Sequence, residues 1–138
     1  MMNKIKLCAA CLLLLAALPL AVKADPGSHA PDEGFFIHLH DQRAMANVTI
    51  SAVHAGAVDI AIQLETAEEL PLKAQAVAVT LGNPDKEITP VTTQARRIAD
   101  DQWIVKMAAS GAGRWSLGLR ITLAPGNTIS IVSPVLIH

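Results

Sequence analysis

The chain has 138 residues, 51% of them apolar and 17% charged, with 11 Lys and Arg against 12 Asp and Glu for a formal net charge of −1. That length suits a single hydrophobic core and is too short for two. The near-balanced charge excludes the cationic surface that a phosphate backbone requires, so nucleic acid is not an expected partner.

In chain order, Lys4 and Lys6 precede an almost wholly apolar run from Leu7 to Leu20, and Val22-Lys23-Ala24 puts small residues where signal peptidase cuts. The expectation is a signal peptide over residues 1–24, cleaved after Ala24, and a periplasmic protein. The run is too short to cross a bilayer comfortably, and no later apolar stretch of about 20 residues occurs, so the exported chain is expected not to span the membrane. A lipoprotein acylated at Cys11 is disfavoured, because most of the apolar run would then follow the cleavage point. Cys8 and Cys11 leave with the signal. The exported part then has no disulfide or thiolate ligand, and its stability rests on its core.

Residues 25–34 (DPGSHAPDEG) are rich in Pro, Gly and acid and read as a flexible leader. From Phe35 onward apolar residues recur at every second position: Val58, Ile60, Ile62 and Leu64; Val77, Val79 and Leu81; Trp115, Leu117, Leu119, Ile121 and Leu123. Period two predicts strands with one buried face. Turn residues separate the runs, for example at Gly82-Asn83-Pro84-Asp85, Ser110-Gly111-Ala112-Gly113 and Ala124-Pro125-Gly126-Asn127. Strands are predicted at 35–40, 44–52, 57–65, 74–82, 86–97, 102–108, 114–123 and 128–137, with a helical turn as the alternative for the acidic segment 66–72. Seven to eight antiparallel strands in residues 35–138 make one all-β sandwich domain. Trp103 and Trp115, at the starts of two strands either side of the Ser110–Gly113 turn, are expected to plug one end of it.

The candidate chemistry lies in FIHLHDQRAMA. On a strand, His38 and His40 share a face about 6.5–7 Å apart while Leu39 points to the core. Two imidazoles suit Cu(II) or Zn(II), and Met45 from the adjacent bend or strand adds a soft sulfur that favours Cu(I). His29 from the leader and Asp41 next door are candidate further ligands, and Phe35-Phe36 could shield one side. The competing reading makes the histidines ordinary polar strand residues and Met45 a core filler. His54 reads as a solvated turn residue, His138 as a terminal one, Met107 as core, and Arg96-Arg97 as neighbours pointing to opposite faces. Arg114 reads as structural, stacked on an indole or paired with an acid. Enzymatic function is not expected. The exported chain has no cysteine nucleophile, Gly-x-Ser-x-Gly elbow, phosphate loop or His-Glu-x-x-His, and the acidic pairs Glu68-Glu69 and Asp100-Asp101 lie in polar turns.

The order His38-Leu39-His40, Ala44-Met45-Ala46, Val48-Thr49-Ile50, Gly56, Val79-Thr80-Leu81-Gly82-Asn83-Pro84, Ala95-Arg96-Arg97, Asp101-Gln102-Trp103 and Gly113-Arg114-Trp115 resembles the YtkA-like domain. That domain occurs alone or as the exported C-terminal domain of bacterial CopD-type copper-resistance proteins. The resemblance implies an immunoglobulin-like sandwich and an association with copper handling, without a ligand set. The multi-helix membrane part of the CopD type is missing, so transport by this chain alone is excluded. The N-terminal histidine of the CopC-type Cu(II) site is also missing, since the mature terminus would be Asp25-Pro26. The expected function is weak or transient copper binding, through His38, His40 and Met45, for buffering or for delivery to a membrane copper transporter or another envelope protein. The alternative is a metal-free interaction module that docks on an envelope protein through an exposed sheet edge.

Overall fold

Each period-two run forms a strand, because alternation lets one face of every strand leave water while the other stays solvated. The computed structural model describes residues 34–138. The expected signal peptide and the leader up to residue 33, with His29, lie outside the described residues. Among the described residues there are nine strands: β1 (Phe35–His40), β2 (Met45–Ile50), β3 (Ala57–Glu65), β4 (Ala76–Asn83), β5 (Ile88–Gln94), β6 (Arg96–Ala99), β7 (Gln102–Ala108), β8 (Gly113–Ala124) and β9 (Asn127–Ile137). All pairings are antiparallel. One sheet has the order β1-β2-β3-β7-β6 and the other β5-β4-β8-β9. Without β1, the order 2-3-7-6 facing 5-4-8-9 is that of an immunoglobulin-like sandwich. No helix among the described residues is long and apolar enough to cross a membrane.

The core lies between the sheets. Val58, Ile60, Ile62 and Leu64 of β3 meet Leu117, Leu119 and Ile121 of β8 in one cluster of buried side chains, each contributing about 2 kcal/mol by leaving water. Met107 belongs to the same cluster, as expected.

The structure corrects three expectations. The predicted strand 86–97 is two strands, which raises the count to nine: β5 pairs with β4 in one sheet and β6 pairs with β7 in the other. Ala95 is the crossing point, its N–H donating to the Val77 carbonyl at 2.8 Å. A short 3-10 helix, Pro84–Lys86, precedes β5, capped by the Asn83 side chain, which accepts from the Lys86 N–H. Second, segment 66–72 is not helical. Thr66 closes it by accepting from Glu69 and donating to the Leu70 carbonyl, and Pro71 bridges back to Glu65. Third, the two indoles lie at opposite ends of the sandwich. Trp103 begins β7, far from the 109–112 connection, whereas Trp115 lies just past it and donates Nε1–H to the Gly111 carbonyl at 3.1 Å.

Close contact also decides Gly82, where β4 shifts register against β5. A Cβ there would stand 2.9 Å from Pro90 Cγ and 3.1 Å from its Cα, so no larger residue lets β5 turn in against β4 without displacing that proline.

Arg97 and Arg96 point to opposite sides of β6. Arg97 lies opposite Trp103, its guanidinium carbon 4.9 Å from the ring centroid, and its Nη2 donates to the carbonyls of Ala74 and, at 3.3 Å, Gln75. Those carbonyls lead into β4, so this side chain fastens one sheet to the other. Arg97→Ala should lower unfolding stability by about 1–2 kcal/mol, from the lost charged hydrogen bonds and cation–π contact. Urea unfolding would show this as a lower midpoint at unchanged slope.

Candidate metal centre

The β1–β2 hairpin builds the site. Its turn is closed by Asp41, whose N–H donates to the Ala44 carbonyl at 2.8 Å and whose carboxylate accepts the Arg43 N–H at 3.0 Å. The Arg43 guanidinium donates to Asn127 Oδ1 and the Thr128 carbonyl, both at 3.0 Å, which ties the turn to the start of β9. Asp41 therefore works in the turn. Beyond it the register is continuous: His40 lies opposite Met45, Leu39 opposite Ala46, and His38 opposite Asn47.

Directly opposed residues of an antiparallel pair point to the same side. Leu39, Ala46, Val48 and Ile50 are buried between the sheets, so His38, His40, Asn47 and Met45 take the outer face. The expected geometry of the histidines holds. Both are exposed, and their rings meet edge to face with centroids 4.3 Å apart and an interplanar angle of 75°.

Met45 is only 6% exposed, yet it is not part of the cluster between the sheets. In the ladder it lies opposite His40 on β1 and Glu65 on β3. The burial of Met45 accords with the competing reading, in which the side chain serves packing. Phe36, two residues before His38, shares the outer face and is 62% exposed, whereas Phe35 packs against the core.

Asn47 is the site residue that sequence reasoning missed. Its Oδ1 is hydrogen-bonded to His38 Nδ1. With the amide oxygen so assigned, Nδ1 is the donor and carries the ring proton, which leaves Nε2 with a free lone pair. Metal-binding imidazoles are commonly held in this way by a hydrogen bond to the other ring nitrogen. A hairpin register drawn through the Asp41–Ala44 turn would have paired 38 with 47.

Among the described residues, no group of three or more His, Cys, Asp or Glu could hold a metal ion. The ladder places Met45 opposite His40 on one side and opposite Glu65 on the other, beside the His38–His40 pair. The remaining candidates lie apart. His54 forms an exposed bridge with Ala57, His138 accepts from the Val53 N–H through its carbonyl, and Arg114 pairs with Asp85 at 3.4 Å.

No family model matches the sequence, and no curated protein matches it. Among solved structures the chain is similar to the crystal structure of a Br derivative of BhCBM56, with a TM-score of 0.49 and 11% identity over 70% of this chain and 95% of that one. Nothing about a ligand follows from a likeness of that degree.

With Asn47 Oδ1 as the acceptor, His38 Nδ1 is the protonated ring nitrogen. Nitrogen-15 NMR of the ring should therefore report the Nδ1–H tautomer in the parent protein. In Asn47→Ala the more common Nε2–H form should become populated.

Proposed function

We propose that this protein binds copper weakly or transiently on the outer face of its β1–β2 hairpin. In the periplasm that binding would serve to buffer the ion or pass it to a membrane copper transporter or another envelope protein. The observation that carries this reading is the edge-to-face pair of exposed imidazoles, His38 hydrogen-bonded to Asn47 and His40 opposite Met45 in the ladder. Imidazole nitrogen and thioether sulfur are copper donors. Exposure of both histidines on a sheet surface suits an ion that must be taken up and released, since nothing encloses it. When bound, copper would take its donors from His38 Nε2, His40 and Met45, with Asn47 positioning the first.

A second reading, the metal-free interaction module, is favoured by one observation: β6 leaves part of the edge of β7 uncovered.

Titration of the purified protein with Cu(I) against a competing chelator, and with Cu(II) followed by electron paramagnetic resonance, tests the first reading. Binding should be stoichiometric and should disappear in the His38→Ala/His40→Ala double variant. Met45→Leu should weaken Cu(I) by about tenfold and leave Cu(II) nearly unchanged, because only the soft ion gains from sulfur. Equal binding by the double variant and the parent would sink the proposal.

A further inference from the structure

The short strand β6 pairs with β7 only through Arg96 opposite Ile104, Arg97 opposite Trp103, and Ala99 opposite Gln102. From Val105 to Ala108, β7 has a strand partner on one side alone, β3. The direction of its backbone groups follows from its two ends. The Asp101 carbonyl accepts from Leu64 and the Ala109 N–H donates to Gly56, both on the β3 side. Backbone groups alternate in direction along an antiparallel strand, so those of Val105 and Met107 face β3 and those of Lys106 and Ala108 face away from it. Two N–H groups and two carbonyls therefore stand on a sheet edge without a strand partner among the described residues.

Space lies on both sides of that edge. A depression of about 730 Å³ on the outer face is lined by Ala61, Ile104, Arg96 and Lys106 among others. A second, of about 380 Å³, opens between the sheets and is lined by Leu81, Val91, Met107 and Trp115. Thr93 and Lys106 border both. A strand laid on the edge would send alternate side chains into the two spaces. The inner one offers apolar walls. The outer one holds Arg96, whose guanidinium has no acidic partner among the described residues, while the Lys106 ammonium stands 3.7 Å from Asp59. The other sheet protects its edges differently: Pro90 sits in β5 and Pro134 in β9, where a missing N–H discourages strand addition.

We propose that the open edge of β7 at Lys106–Ala108 docks an extended segment of another polypeptide, with apolar side chains facing the inter-sheet depression and a carboxylate facing Arg96. Main-chain hydrogen bonds supply the attachment, and the alternating side chains supply the selection. The nine residues before Gly34 do not fit this description, since Ala30 and two prolines are their only apolar side chains. The inference is independent of copper binding.

The test uses the peptide acetyl-Ser-Thr-Val-Glu-Val-Thr-Ser-amide and amide NMR with hydrogen exchange on the full chain. In the free protein the Lys106 and Ala108 amides should exchange fast while those of Val105 and Met107 are protected. The peptide should shift and slow the first pair. Lys106→Pro removes the outward N–H without touching the β3 ladder and should weaken the peptide by about tenfold, whereas Lys106→Ala, which keeps that N–H, should stay within about threefold. As a variant that leaves the backbone intact, Arg96→Glu should lose the peptide and regain binding when the peptide's Glu is replaced by Lys. Four outcomes would overturn the proposal. Protection of Lys106 and Ala108 in the dilute free protein would mean that a segment of the same chain covers the edge, and protection rising with protein concentration would mean that a second copy does. The other two are no amide shift at millimolar peptide, and failure of the charge swap to restore binding.

Discussion

The register of β1 against β2 is the constraint on which the rest of the candidate site depends. Leu39, Ala46, Val48 and Ile50 have to face the opposite sheet, because only there can they leave water. A slip of the whole hairpin by one residue against β3 would turn these side chains to solvent and bring His38, His40, Asn47 and Met45 into an apolar interior with no partners for their polar atoms. The same apolar burial that holds the hairpin in the sandwich therefore sets the histidines on the outer face, opposite Asn47 and Met45. The geometry of the site is a by-product of the core, and no residue of the site has to stabilise the fold in order to stay in place.

That dependence explains what could be read from the sequence. Strands whose inner residues alternate strictly, such as Val58 to Leu64 and Trp115 to Leu123, were legible with boundaries close to those observed, because period two is the direct imprint of one buried face. Segment 86–97 was not. Most of its residues are exposed on both sides, so no periodicity marks the place where the chain leaves one sheet for the other at Ala95. The tryptophans were misplaced for a related reason. Their closeness to a shared turn suggested one end of the sandwich, but Trp103 lies at the end of β7 remote from that turn and only Trp115 follows it closely. In the candidate site, the shared face of His38 and His40 was legible from their spacing. Asn47 was not, because its role depends on a cross-strand register rather than on a motif.

The two sheets are joined at their margins by side chains that make polar contacts. Arg97 reaches from β6 to the carbonyls before β4, and Arg43 reaches from the β1–β2 turn to the start of β9. The arginine fork suits this work, since it reaches several carbonyl oxygens from one rigid plane. In a chain whose sequence has no cysteine after Cys11, such contacts hold the margins where a small exported domain would often use a disulfide. The indole beneath Arg97 has a less complete arrangement: Trp103 Nε1 is buried without a partner among the described residues, whereas the cation above its ring is satisfied on both counts.

The burial of Met45 on the outer face has a chemical consequence. Thioethers are converted to sulfoxides by peroxides, and the sulfoxide is a polar group that no longer offers the soft sulfur donor. A methionine in free contact with solvent beside a redox-active ion would be open to that reaction. Met45, opposite His40 and Glu65 in the ladder, is only 6% exposed. That burial limits approach by dissolved oxidants, so the packing that surrounds this side chain also protects its sulfur from conversion to the sulfoxide.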